Sequence, residues 1–302
     1  MGLSSLLNRS YIVLFGVGLF CVSQVLPGSS LGAEQIDPLL KKALSILNST
    51  SGGKLLLEKA VILWEAKTLD ELSHHLRWSS TSRTDAVLTR QFDPMTGQET
   101  RSREVTIYLK RTTSMPDLVL DIAHEMVHAT SRPAWDPYDP ALTAGKYIWT
   151  TLEGEGGEVE AVIAECRISS EVPSFQEIYK KRCSTYLDSS KALVDRTKVR
   201  QDFYRVGRWN KELLRELGHE VVTLPLLTAD EPRLISSTGS TPYPVALLRE
   251  YRELTQVACE NSKKRIEVAA HQTVGRSLAS ETTTPERENK DFLQRRCKSR
   301  TF

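Results

Sequence analysis

The stretch DIAHEMVHATSRP, residues 121–133, sets two histidines four residues apart and puts a glutamate directly after the first. On a helix, positions four apart lie on one face, roughly 6 Å from each other. His124 and His128 can therefore both reach one ion at about 2.0–2.1 Å from each ring nitrogen. Glu125 is turned about 100° from His124 and does not ligate the same ion. It can instead face a water bound to the metal, and its carboxylate is then placed to take that water's proton. Two ligands plus a general base is the equipment of metal-assisted hydrolysis. Accident would place H-E-x-x-H in a chain of this length and composition on the order of one time in a hundred.

The elements around the motif are of the kind that would position it. Ser114 can cap a helix, Asp117 stands three residues later in a capping-box position, and Pro116 suits the first turn. Leu118, Val119, Ile122, Ala123 and Met126 give that helix a broad apolar face, and it should stop near Ser131 because Pro133 disfavours helix before it. In DAVLTRQFDPMTGQETRSREVTIYLK, residues 85–110, Val105, Ile107 and Leu109 alternate with Thr106, Tyr108 and Lys110, and DPMTG supplies turn residues. This predicts a β-hairpin ending at about Lys110. Residues 35–78 read as helical, in DPLLKKALSILNST and GKLLLEKAVILWEA, with STSGG as the break. After the proline-stiffened RPAWDPYDP loop, residues 141–170 predict a second helical region jointed at its glycines, and mostly helix follows beyond Pro173.

A catalytic zinc takes three protein ligands and keeps one position open, so a third donor is needed. The metzincin pattern fails, since Ser131 and Ala134 stand where it needs glycine and histidine. Asp136 and Asp139 remain short-range alternatives in a proline-flanked loop. Downstream, GEVEAVIAEC, residues 157–166, offers a run of acids. With this segment included, residues 105–166 resemble the gluzincin branch of zinc metallopeptidases, in which a glutamate on a second helix completes the site begun by H-E-x-x-H. The resemblance implies Glu158 as third ligand, 30 residues after His128, and an active-site helix, the one carrying H-E-x-x-H, packed beneath a small sheet. It also implies an edge strand that holds the substrate backbone by β-augmentation, for which REVTIYLK (103–110) is the candidate. Glu158, Ala161, Val162 and Glu165 share one helical face; the small Ala161 allows close approach to the histidine helix, and Glu165 can hydrogen-bond a ligating imidazole. Val162 stands where many such peptidases carry aspartate, which leaves Glu153 and Glu160 open as alternatives to Glu158.

The N-terminus points to export. Arg9 precedes the 16-residue apolar run YIVLFGVGLFCVSQVL, and PGSSLGAEQ supplies small residues around a cut after Ala33. The run is short for a membrane span, although an uncleaved anchor is the alternative, and Phe20 before Cys21 argues against a lipid anchor. Residues 1–33 are thus read as a signal peptide, 34–279 as a single domain and 280–302 as a polar, mobile tail; whether a propeptide is removed stays open, and residues 34 to about 80 could serve as one. Removal of Cys21 leaves Cys166, Cys183, Cys259 and Cys297, an even number that suits an oxidising compartment. Three connectivities are open, and Cys166–Cys183 with Cys259–Cys297 is preferred because each closes a short segment.

Other side chains carry weaker signals. A formal net charge of +2 on 302 residues gives no electrostatic case for a nucleic-acid partner. His74 and His75 diverge on a helix, and His219, Tyr138 and Tyr147 are minor candidates for stabilising an oxyanion. The fold expected is α+β and mostly helical: a zincin-like core with a small β-hairpin or sheet next to the H-E-x-x-H helix, then a helical C-terminal half. The expected activity is that of a secreted or periplasmic zinc metallopeptidase with one Zn²⁺ on His124, His128 and Glu158, Glu125 as general base, a protein or peptide substrate, and no stable membrane anchor after signal removal. The main alternative is an exported non-catalytic metal-binding or scaffold protein with a degenerate site, favoured by Val162. A hydrolase of a non-peptide amide, such as a cell-wall component, and a plain helical interaction module complete the alternatives.

Overall fold

Side-chain caps start several of the helices. Asp37, Thr50, Thr68, Ser114, Thr143 and Asp195 each accept a hydrogen bond from a first-turn backbone N–H, which satisfies donors that the helix itself leaves unpaired. The structure is a computed structural model, described for residues 37–92, 99–111, 114–132, 135–188, 190, 194–236, 241–273, 287 and 290–297. The expected signal peptide, the whole DPMTG turn (93–97) and Pro133 lie outside the described residues. In chain order come α1 (Pro38–Asn48), α2 (Ser51–Trp64) and α3 (Leu69–Ser73), then β1 (Leu76–Ser79), β2 (Arg83–Phe92) and β3 (Glu99–Lys110). They are followed by α4 (Met115–Thr130), α5 (Ala144–Glu153), α6 (Glu158–Glu171), α7 (Gln176–Cys183), α8 (Arg196–Phe203), α9 (Asn210–Leu217) and α10 (Tyr243–Thr273). The architecture is α+β and mostly helical, with one small sheet.

Three sequence expectations change in the first half of the chain. The helical reading of residues 35–78 ends early, because Leu76–Ser79 form β1 and pair in parallel with Ile107–Lys110. The break in STSGG is confined to Ser49 and Thr50: Gly52 and Gly53 lie inside α2, with Thr50 capping at Gly53. Third, β3 is the middle strand of the sheet, in the order β1-β3-β2, and not an edge. The short connection at 80–82 carries the chain across the end of β3, where the Lys110 N–H donates to Ser82 Oγ at 3.0 Å. That crossing leaves β2 antiparallel to β3 on one side, from Arg83↔Tyr108 to Phe92↔Glu99, and β1 on the other.

Two buried clusters lie side by side. The first joins α1, α2, the inward face of the sheet (Val105, Ile107, Leu109) and α4. The second gathers α5, α8, α9 and the start of α10 around Tyr147, Phe203, Tyr204 and Tyr251. Helix α6 serves both: Ala161 and Ile168 belong to the first cluster, and Val159, Ile163 and Cys166 to the second. Disulfides join Cys166 to Cys183 and Cys259 to Cys297, the preferred pairing, and such bonds persist in oxidising compartments. The described part of the expected mobile tail is docked: Phe292 and Arg296 are buried, and Arg296 donates to the Asp139 carbonyl and to Thr255 Oγ1. Among the described residues no helix is long and apolar enough to cross a membrane.

Candidate metal centre

Helix α4 runs between the sheet and α6, so its faces divide the chemistry. His124 and His128 face α6, while Glu125 is turned toward β2. Gly157 opens α6 without a side-chain cap, and Glu158 and Glu160 fill its first turn, where negative charge suits the positive end of the helix dipole. Ala161, fully buried at the contact with α4, keeps the two helices close enough for Glu158 to reach both histidines.

The ligand atoms converge. His124 Nε2 lies 3.3 Å from Glu158 Oε2, and His128 Nε2 lies 3.7 Å from Glu158 Oε1. Neighbouring donors on a tetrahedral ion with bonds of about 2.0–2.1 Å stand about 3.3–3.4 Å apart. One ligand atom from each of the three residues falls within 4.8 Å of the others. This group can hold a metal ion.

The opposite ring nitrogens fix which nitrogen of each ring, when neutral, is left for an ion. His128 Nδ1 is 2.7 Å from the Gly156 carbonyl oxygen, which only accepts, so Nδ1 carries the hydrogen. His124 Nδ1 is 2.6 Å from Glu165 Oε1, and a carboxylate likewise takes the hydrogen bond. With both Nδ1 positions donating, a neutral ring offers Nε2 to an ion. Burial alone would lower the His124 pKa, but the hydrogen bonds and charges of Glu158 and Glu165 outweigh it and hold that pKa well above the usual histidine value. A proton therefore competes with an ion at this ring.

Glu125 is buried against β2. The Thr84 hydroxyl lies 2.8 Å from both Glu125 Oε2 and the Glu125 backbone carbonyl. Burial raises the Glu125 pKa against the opposing pull of both imidazoles and the Thr84 hydrogen bond. A small cleft of about 60 Å³ opens beside His128, lined among others by Thr84, Ala86, Arg103, Trp135 and Gly156. Arg103 donates to the Ser131 carbonyl at 3.1 Å, capping the negative end of α4.

The other acids go elsewhere. Glu153 accepts from the Tyr204 hydroxyl at 2.8 Å and pairs with Arg200. Glu160 accepts from the Gly156 N–H at 2.8 Å and faces Arg196. Asp136 and Asp139 hold turns in their own loop through the N–H groups of Tyr138 and Ala141. His75 stacks on Trp64, and Tyr138 and Tyr147 pack in aromatic contacts with Phe292, Trp135 and Tyr251. Sequence reasoning missed Thr84, Gly156 and Arg182, which donates to Glu165 Oε2 at 3.1 Å. Of these, only the glycine run before Glu158 carries a signal in the sequence, and that signal is of a joint. Comparison with protein-family models, with curated proteins and with solved structures returned no match. What identifies the centre is thus its own donor set, His124, His128 and Glu158, which is compatible with a zinc site.

Proposed function

We propose that this chain is an exported, gluzincin-type zinc metallopeptidase. One observation carries the proposal: both histidines donate through Nδ1 to fixed acceptors, so their Nε2 atoms and Glu158 face one point. When bound there, a divalent cation supplies Lewis acidity, which activates water and polarises a carbonyl. Glu125 takes the proton of the attacking water on the oxygen not held by Thr84 and returns it to the leaving amine. Its raised pKa suits a base that must also give the proton back. Thr84 and Ala86 line the cleft from β2, which is an outer strand of the described sheet, and supports an extended peptide running alongside it. The two disulfides support export to an oxidising compartment.

The test measures zinc content and hydrolysis of a broad peptide library for the purified protein and three variants. The parent should hold one zinc per chain, and His128→Ala and Glu158→Ala should lose it. Glu125→Gln should keep the zinc and lose at least about 10²-fold in hydrolysis, the range of general-base contributions. A parent without stoichiometric zinc, or a Glu125→Gln variant as active as the parent, overturns the proposal. A second reading, a non-catalytic zinc protein, is favoured by the cleft of about 60 Å³, well below the roughly 300–1,000 Å³ of ordinary ligand sites. Zinc bound with no hydrolysis across the library would select it.

A further inference from the structure

The hydrogen bond that orients His124 is itself gripped from behind. Glu165 accepts from His124 Nδ1 at Oε1, at 2.6 Å, and from the Arg182 guanidinium at Oε2, at 3.1 Å. Arg182 also reaches across to Asp117 Oδ1 at 2.5 Å. One guanidinium thus links the first turn of α4, the middle of α6 and the last turn of α7. The next residue after Glu165 is Cys166, and the next after Arg182 is Cys183; these two form a buried disulfide. The covalent bridge therefore stands beside the ion pair and holds α7 where Arg182 meets Glu165.

We propose that Arg182 is a positioning residue for the metal centre and that the Cys166–Cys183 disulfide clamps it in place. The inference rests on the zinc reading above. An exposed Arg–Asp pair by itself contributes little, and a long side chain loses rotamer freedom when it is fixed. Here the bridge has already restricted α7, so less freedom remains to be lost when the guanidinium closes on Glu165. With both carboxylate oxygens engaged, Glu165 cannot turn toward solvent, and His124 keeps the hydrogen on Nδ1. Partners behind a metal ligand commonly change affinity by about 10–100-fold when removed.

Charge alone predicts the opposite sign. Deleting a positive side chain near a cation site should tighten zinc if Arg182 acted only through its field. Loss of positioning should weaken it. The direction of the change therefore separates the two effects.

The experiment measures zinc Kd by chelator competition on the full chain, together with the metal-free thermal midpoint and the absorption spectrum of the cobalt-substituted protein. Variants are Arg182→Gln, Arg182→Lys and the double Cys166→Ser/Cys183→Ser. Arg182→Gln should weaken zinc about tenfold, alter the cobalt spectrum and leave the metal-free midpoint nearly unchanged; Arg182→Lys should recover part of the loss. The double cysteine variant removes no charge and should weaken zinc to a similar degree. Equal or tighter zinc binding by Arg182→Gln overturns the proposal, and parent-like binding by a folded double cysteine variant overturns the clamp. Should the double variant not fold, the two Arg182 variants decide. A parent that binds no zinc overturns the zinc reading and this inference together; a parent that binds it beside unaffected variants overturns this inference alone.

Discussion

A single glycine does two jobs at the centre. Gly156 takes φ +68°, a left-handed conformation that side chains with a Cβ rarely adopt. Its carbonyl receives His128 Nδ1–H, and its N–H donates to Glu160. A Cβ added there would sit 2.2 Å from Ser131 Cβ and 3.0 Å from the Val127 carbonyl oxygen, both parts of the end of α4. Gly156→Ala must therefore move the loop that orients His128. The expected outcome is a stability loss of about 1–3 kcal/mol, seen by thermal unfolding, with weaker zinc binding in chelator competition. His124, Glu125 and His128 were legible in the sequence because one helical turn relates them. Glu165 was legible because it lies two turns after Glu158 on the same face. Thr84 and Arg182 were not, since they act on Glu125 and Glu165 from 41 and 17 residues away with no periodic pattern to mark the meeting.

Among the elements, the contact of α4 with α6 sets the distance between ligands. Ala161 is fully buried there, one turn after Glu158. Ala161→Leu adds three carbons to a filled contact, and such overpacking costs about 1–3 kcal/mol. Because the helices must part to admit them, zinc affinity should fall together with stability; an unchanged Kd in a destabilised variant would show that this contact does not set the site. Helix α4 could be read from its Ser114 cap and apolar face, and the β2–β3 hairpin from the alternation ending in Val105, Ile107 and Leu109. Strand β1 escaped because four residues, Leu76–Ser79, are too few to show a period next to a strong helical signal. The central place of β3 escaped for another reason: strand order depends on how residues 80–82 cross the sheet's end, and that path has no local signature.

Across the whole molecule, the candidate donors come from helices that serve different parts of the interior. His124 and His128 lie on a helix of the first cluster, and Glu158 on the helix shared with the second. A ligand that binds only the folded chain stabilises it by mass action, by about 2.7 kcal/mol at a hundredfold excess over Kd. Zinc at that excess should raise the thermal midpoint by several degrees, and a chelator should reverse the rise; in Glu158→Ala the same addition should do nothing. The four cysteines beyond residue 33 were legible before any fold was known, and short loops favoured the two bridges observed. The docking of Phe292 and Arg296 was not legible, because a polar stretch gives no sign that one aromatic and one guanidinium within it will be buried.

Helix α6 is enclosed on opposite flanks, with Ala161 and Ile168 facing one way and Val159, Ile163 and Cys166 the other. A helix so wedged has no soft direction: sliding or rolling it would open voids on one flank and clashes on the other. The spacing of the three donors is therefore inherited from hydrocarbon packing, and the entropy of assembling them is lost during folding, before any ion arrives. A cation bound there would meet a preorganised receptor, and its affinity would not be diminished by a conformational search.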